Sequence, residues 1–278
     1  MSHVGESEHR RPSVGLEHLS LREEPLPVFA AAAAAGGADS ICLSVNHPDV
    51  RDRKTLRETL ARLEALNIPV AMGDGFILRA GGDLDDLRRQ LDVLSETRTP
   101  SANACAFEPD EKVARDPAVV ADLLGEFCRI ARAAQVDVLL EFTPLSHVPS
   151  LAAAVGLLKQ LDQPNLRILL DTLHLVRAGE GPADLREIDQ QLIGYCQLSD
   201  GLLASESLSA YLEEAINDRL VPGHGEFPLV EILSLIPREV TISAEVPLRR
   251  LEQAGIPPHE RARRILEGSR QLVAEAWA

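Results

Sequence analysis

Along the chain, short runs rich in Val, Ile and Leu alternate with longer stretches whose apolar residues recur at helical spacing. The candidate strands are Ser13–Leu19, Ser40–Val45, Ile68–Gly73, Asn103–Phe107, Val136–Phe142, Arg167–Asp171, Ile193–Leu198 and Val240–Val246. Helical patterns lie between them at about Pro25–Ala35, Lys54–Leu66, Leu84–Glu96, Pro117–Ala134, Pro149–Leu161, Ala183–Gln191, Ser205–Ala215 and Pro228–Leu235, and a last one, Pro258–Ala276, follows the eighth strand. Repeated units of this kind build a parallel sheet covered by helices. Eight of them at about 35 residues each fall in the size range of a single (β/α)8 TIM barrel, with Pro258–Ala276 as an additional C-terminal helix. A doubly wound sheet would place a glycine-rich phosphate turn after the first strand, and Leu19-Ser20-Leu21-Arg22-Glu23 has none. Residues 1–12 are polar and charged and read as a flexible N-terminal tail, leaving 13–278 as the barrel.

In a barrel enzyme the chemistry sits at the carboxyl ends of the strands, where the βα loops open. The last residues of the later strands therefore carry information. Val138-Leu139-Leu140 runs into Glu141, Ile168-Leu169-Leu170 into Asp171, Ile193 to Cys196 into Gln197, and Thr241 to Ala244 into Glu245. One such carboxylate has a plain explanation as a helix cap or a solvated loop residue. Four oxygen-bearing groups in phase on neighbouring strands would converge, and three mutually repelling carboxylates are tolerable there mainly around a cation. Oxygen ligands without thiolate favour a hard octahedral ion, Mn²⁺ or Mg²⁺ before Zn²⁺, with Co²⁺ also compatible. Two further groups lie close in sequence: His174, three residues past Asp171, and the turn Arg219 to Phe227, in which Arg219 and His224 are candidate contacts for an oxygen-rich substrate.

Composition narrows the partners. With 28 Lys+Arg against 43 Asp+Glu, a net charge of −15 and nine aromatic residues, the chain lacks the basic and aromatic footprint of a nucleic-acid binder. The four cysteines, Cys42, Cys105, Cys128 and Cys196, have no metal-ligand spacing and read as reduced core thiols. No secretory h-region and no run of eighteen apolar residues is found, so no membrane partner and a cytoplasmic location are expected. Schiff-base chemistry is disfavoured because Lys54, Lys112 and Lys159 are the only lysines and none ends a predicted strand.

Leu140-Glu141-Phe142, Asp171-Thr172-Leu173-His174 with Arg177 and Gly179, Cys196-Gln197-Leu198-Ser199-Asp200, Arg219 to Gly225 and Ala244-Glu245-Val246-Pro247 together resemble the xylose isomerase-like TIM-barrel superfamily. The similarity is specific over about residues 136–248; over 13–135 it rests on the strand–helix rhythm. That superfamily includes sugar isomerases and epimerases, hydroxypyruvate isomerase, inosose and 3-dehydroshikimate dehydratases and endonuclease IV. The resemblance implies one divalent ion held by Glu141, Asp171, Gln197 and Glu245, with His174 near the substrate and Arg219 facing it. Gln197 in place of His looks more like the hydroxypyruvate isomerase branch. Asp218-Arg219-Leu220 departs from the Asp-Arg-His element of endonuclease IV, which argues against a three-zinc nuclease.

The expected activity is metal-dependent isomerisation or epimerisation of a sugar or sugar-like keto compound through an enediolate, with Glu141 and Glu245 flanking the reacting carbon and His174 polarising a substrate oxygen. A β-hydroxyl on the same substrate would turn the reaction into a dehydration. A barrel that only binds, without catalysis, is the third alternative, and a homo-oligomer is compatible with any of them.

Overall fold

The computed structural model describes residues 12–278. The predicted tail, 1–12, falls outside that range except for Pro12. Eight parallel strands close into one barrel in sequence order: β1 (Gly15–Leu16), β2 (Ile41–Ser44), β3 (Val70–Asp74), β4 (Ser101–Cys105), β5 (Asp137–Glu141), β6 (Leu166–Asp171), β7 (Ile193–Leu198) and β8 (Thr241–Ala244). The ring is sealed by β1 against β8, with Gly15 opposite Ser243 and Leu16 opposite Ala244. Helices fill the connections, and the last, Pro258–Ala276, packs on Leu26–Ala35 and Leu229–Ser234. It therefore covers the outer layer where the first and last units meet, burying Ile265, Leu266 and Val273.

Side chains alternate across each strand, so every second residue points into the barrel. Cys42, Met72, Leu139, Leu169 and Tyr195 form a small apolar cluster of their own, separate from the large core beneath the helices. Two residues further along each of these strands stand Ser44, Asp74, Glu141, Asp171 and Gln197. The same phase carries Asn103 on β4, Glu17 just after β1 and Glu245 just after β8. The barrel is thus plugged by an apolar layer and polar one layer above it. Register keeps these groups level: Asp171 lies opposite Gln197, Gln197 opposite Ser243, and Cys105 opposite Glu141.

Several predicted elements change on folding. The first strand, expected over Ser13–Leu19, is only Gly15–Leu16; His18–Leu21 turns into a 3-10 helix, held by Ser20 Oγ, which donates to Ala244 O at 3.1 Å and accepts from Val246 N at 2.8 Å. Gly15 is required there, because a Cβ would lie 2.6 Å from Ser40 Oγ and 2.9 Å from Ser243 Oγ. The helix expected at Ala183–Gln191 is replaced by Thr172–Arg177, Pro182–Arg186 and a 3-10 turn at Gln190–Leu192. Gly179, at φ +77°, and Pro182 divide the segment. The fourth strand begins two residues earlier than the predicted Asn103, at Ser101. All four cysteines are free and buried, as their spacing suggested.

Candidate active site

Arg219 stands at the centre of the barrel mouth, 3% exposed. Its Nη1 donates to Asp171 Oδ2 at 2.8 Å and to Ser199 Oγ at 3.3 Å, and its Nε to Ala215 O at 2.9 Å. Nη2 lies 2.7 Å from Glu245 Oε2. Of five guanidinium N–H groups, four are thereby committed to the protein and one, on Nη2, remains for another oxygen. Burial opposes its charge, but Asp171 and Glu245 outweigh that and hold the guanidinium more firmly protonated.

Asp171 performs two tasks with two oxygens. Oδ1 caps the helix Thr172–Arg177, accepting from Leu173 N at 2.7 Å and His174 N at 3.4 Å. Oδ2 faces Arg219 and, at 3.5 Å, His174 Nε2. The plain capping role and the site role are therefore compatible, because a carboxylate has one oxygen for each. Burial works against this carboxylate, but Arg219 and His174 overcome it and keep its pKa below the usual range.

His174 is turned into the site by Tyr211, whose hydroxyl lies 2.6 Å from His174 Nδ1 and 2.6 Å from Thr143 Oγ1. The other ring nitrogen, Nε2, is 3.2 Å from Glu141 Oε1. Glu141 receives its second contact from Asn103, whose Nδ2 donates to Oε2 at 3.2 Å while its Oδ1 accepts from Gly75 N and Phe76 N at 2.9 and 3.2 Å. The two backbone donors fix the Asn103 amide, so its NH2 must face Glu141. Across the mouth, Gln197 Nε2 donates to Glu245 Oε1 at 3.0 Å, and Gln197 Oε1 is buried without a partner.

Of the residues singled out from the sequence, Glu141, Asp171, His174, Gln197, Arg219 and Glu245 meet here. They form two groups bridged by Arg219. Among the described residues, the potential ligand atoms of Glu141, Asp171 and His174 all lie within 4.8 Å of one another, while Gln197 and Glu245 pair on the far side of the guanidinium. His224 does not join them: its side chain is exposed on the loop. That loop is organised by Asp200, which accepts from Gly223 N at 2.9 Å, Gly225 N at 2.8 Å and Phe227 N at 3.2 Å. A Cβ on Gly225 would collide with the Asp200 carboxylate, which explains the second glycine of Pro222-Gly223-His224-Gly225.

Sequence reasoning missed Glu17, Asp74, Asn103 and Tyr211. Asp74 follows the apolar run Val70 to Met72 in the same manner as Asp171 follows its own, and ending the strand at Gly73 concealed it. Burial, together with Glu141 and Glu17, pushes its pKa up to about 7. A carboxyl raised from its unfolded value near 3.8 holds a proton in the folded state that the unfolded chain has lost, so stability falls as pH rises between those values. Asp74→Asn is accordingly expected to raise the melting temperature of the metal-free protein at pH 8 and leave it nearly unchanged at pH 4; equal shifts at both would refute this. In the early loops, Phe76 is buried against Phe127, and His47 Nδ1 accepts from Asp49 N and caps Pro48–Arg51.

Residues 29–272 match the family model for the xylose isomerase-like TIM barrel, and the chain belongs to that family. The 3-dehydroshikimate dehydratase of Pseudomonas aeruginosa is 26% identical over 159 residues, 56% of this chain and 24% of that protein. The chain thus aligns with about a quarter of that relative's length. Among solved structures, an IolI protein with a bound zinc atom superposes with a TM-score of 0.77 at 17% identity, covering 94% of this chain and 98% of that one. D-psicose 3-epimerase in the presence of D-fructose gives 0.73 at 15% identity, covering 94% and 99%. No helix among the described residues is long and apolar enough to cross a membrane.

Proposed function

We propose that the barrel mouth is the active site of a divalent-metal-dependent isomerase or epimerase acting on a sugar or sugar-like keto compound. The observation that carries this reading is the imbalance of the site. Five carboxyl groups, Glu17, Asp74, Glu141, Asp171 and Glu245, share the barrel mouth with one buried guanidinium that pairs with two of them, and burial pushes Glu245 well above the usual carboxylate range despite Arg219. A buried excess of acid with an unpartnered carbonyl, Gln197 Oε1, fits a cation. Glu141 and Asp171, with His174 Nε2 bordering the same space, would hold it from one side, and Gln197 and Glu245 would complete the ligand set once the Arg219 guanidinium between the two pairs gives way. Oxygen-dominated ligation suits Mn²⁺ or Mg²⁺, and the imidazole also accommodates Zn²⁺ or Co²⁺. When bound, the ion supplies Lewis acidity to a carbonyl oxygen and charge stabilisation for an enediolate.

The residues then divide the work. Glu141, steadied by Asn103, takes the proton from the carbon beside the carbonyl, and the electron pair of that C–H bond moves into the enediolate. Glu141 or Glu245 returns a proton to the same or the neighbouring carbon, which gives epimer or isomer. His174, oriented by Tyr211, polarises a substrate oxygen, and the remaining Nη2 proton of Arg219 orients a hydroxyl or carboxylate. Dehydration is the second reading. It is favoured by the dehydratase relative and by Asp74, an acid near neutral pKa able to protonate a departing hydroxyl.

Incubation of Mn²⁺-loaded protein in D2O with ketoses, 3-keto sugars and cyclic keto acids tests both readings at once. The expected result is C–H exchange in one class, lost in Glu141→Gln by about 100-fold or more. Loss of water from the product selects the dehydratase. Exchange retained in Glu141→Gln would assign the base elsewhere, and no exchange in any class would favour a non-catalytic barrel.

A further inference from the structure

Arg177 stands three residues past His174 at the end of the helix Thr172–Arg177, and no step of the proposed reaction uses it. Its side chain is 5% exposed. Nε donates to Glu214 Oε2 at 3.1 Å, Nη2 to Oε1 and Oε2 at 2.8 and 2.7 Å, and Nη1 to the carbonyls of Leu202 and Leu203 at 2.9 and 3.3 Å. These are as many bonds as a guanidinium has N–H groups, so the side chain is committed to the protein and has no donor for a substrate. The group also lies over the Phe227 ring, its carbon 5.4 Å from the centroid. A Cβ on Gly201 would come within 2.8 Å of both Glu214 Oε1 and Phe227 Cζ, so this glycine gives the pair its room.

Glu214 in turn lies three residues past Tyr211 on the helix Leu208–Asn217. Residues three apart share a helix face, so two rungs join the two helices: the Tyr211 hydroxyl with His174 Nδ1 at 2.6 Å, and Glu214 with Arg177. The second rung is the stronger, because a charge-assisted Arg–carboxylate pair outweighs a single hydroxyl–imidazole bond. Little else fixes the register. Only Tyr211 and Ala215 are buried on Leu208–Asn217, and a helix of six residues such as Thr172–Arg177 does not hold itself. A slip of one residue displaces a side chain by about 1.5 Å along the axis, enough to break the contact with His174. Thr143 Oγ1, 2.6 Å away, holds the tip of Tyr211 but not its helix. Arg219 also leans on this helix at Ala215 O, yet Asp171, Ser199 and Glu245 hold it as well, whereas among the described residues Tyr211 is the only hydrogen-bond partner of His174 Nδ1.

We propose that Arg177 is a positioning residue for His174: its pair with Glu214 sets the register of the helix Leu208–Asn217, and with it the Tyr211 hydroxyl that turns the imidazole into the site. The proposal rests on the reading of His174 as the group that polarises a substrate oxygen.

Nitrogen NMR of the metal-free protein with isotope-labelled histidine tests it. The His174 Nδ1 resonance, identified by its absence in His174→Gln, is expected to move in Arg177→Met to the position it takes in Tyr211→Phe. In a Tyr211→Phe background, Arg177→Met should move it no further. An unmoved resonance in folded Arg177→Met overturns the proposal and leaves Arg177 a structural residue; a shift that adds to that of Tyr211→Phe overturns the route through Tyr211. If Arg177→Met shows no cooperative melt, Arg177→Lys carries the test, since one ammonium replaces the planar fork. A partial shift in the same direction then supports the proposal, and an unmoved resonance overturns it. On the substrate class found by exchange, Arg177→Met should lower turnover about 10–100-fold with KM within about 3-fold of wild type. A raised KM with turnover kept overturns the proposal. Absence of exchange in every class overturns the catalytic reading instead, while the NMR measurement needs neither metal nor substrate and decides the role of Arg177 independently.

Discussion

Glu245→Gln is expected to abolish stoichiometric Mn²⁺ or Mg²⁺ uptake and to reduce turnover by about 1,000-fold or more. The residue ties Gln197 to the guanidinium that bridges the two halves of the site. Oε1 accepts from Gln197 at 3.0 Å, and Oε2 lies 2.7 Å from Arg219 Nη2. A glutamine there has nearly the same shape but only one acceptor oxygen and an NH2 group. Whichever way that amide turns, it places N–H groups against the donors of Arg219 or of Gln197. A proposed cation would lose a charged ligand, and the returning proton would lose its proposed carrier. Equilibrium dialysis and turnover on the substrate class found by exchange would check both losses. Unchanged metal content in Glu245→Gln would sink the ligand assignment, while normal metal content with lost turnover would leave Glu245 as a proton carrier alone.

Removal of the central cation is expected to show itself first in stability. Arg219→Met should destabilise the metal-free protein by about 3–5 kcal/mol at neutral pH, since it leaves the buried Asp171 carboxylate without its main cation. Asp171 is fully buried and Glu245 is 4% exposed, so water cannot replace the guanidinium without opening the barrel mouth. The sign of the pH dependence follows. Without Arg219, burial raises the folded-state pKa of Asp171 above its unfolded value, as it already does for Glu245, so the deficit shrinks as pH falls and Asp171 protonates. Added Mn²⁺ should recover more stability in Arg219→Met than in wild type, because a cation then meets Asp171 without its guanidinium. Denaturant melts at pH 5 and 8, with and without Mn²⁺, measure all three effects. A loss under about 1 kcal/mol at pH 8 would show that the acids reorganise and that Arg219 does not hold the site together.

The later half of the barrel was legible because β5 to β8 each end an apolar run abruptly in an oxygen-bearing side chain. Such a run ends where the strand leaves the core, and alternation fixes which face its last residue takes. The early half was obscured for identifiable reasons. β1 is two residues long, and the longer strand expected over Ser13–Leu19 put Glu17 in mid-strand, where no strand end marked it. Asp74 hid behind Gly73, which reads as a stop although it continues β3. Asn103 carries no signal of its own, since an asparagine within Ser101-Ala102-Asn103-Ala104-Cys105 looks equally at home in a loop. Tyr211 reaches His174 from the helix Leu208–Asn217, 37 residues away, a contact that helical spacing cannot foretell.

Arg219 illustrates the remaining division. Its residue type and neighbouring turn marked it as a contact for an oxygen-rich ligand, and the structure adds ion pairs with Asp171 and Glu245 that the sequence did not foretell. By itself the amino-acid sequence determined the number of strand–helix units, the inward phase of the late strand ends and the acidic character of the mouth, because periodicity and residue type are local properties of the chain. Closure of the ring decided the rest. Only when β1 meets β8 do Glu17, Gln197 and Glu245 become neighbours, and only then does one guanidinium stand among five carboxyl groups. The balance of charge in a buried site depends on distances between residues far apart in the chain, and those distances are a property of the closed barrel.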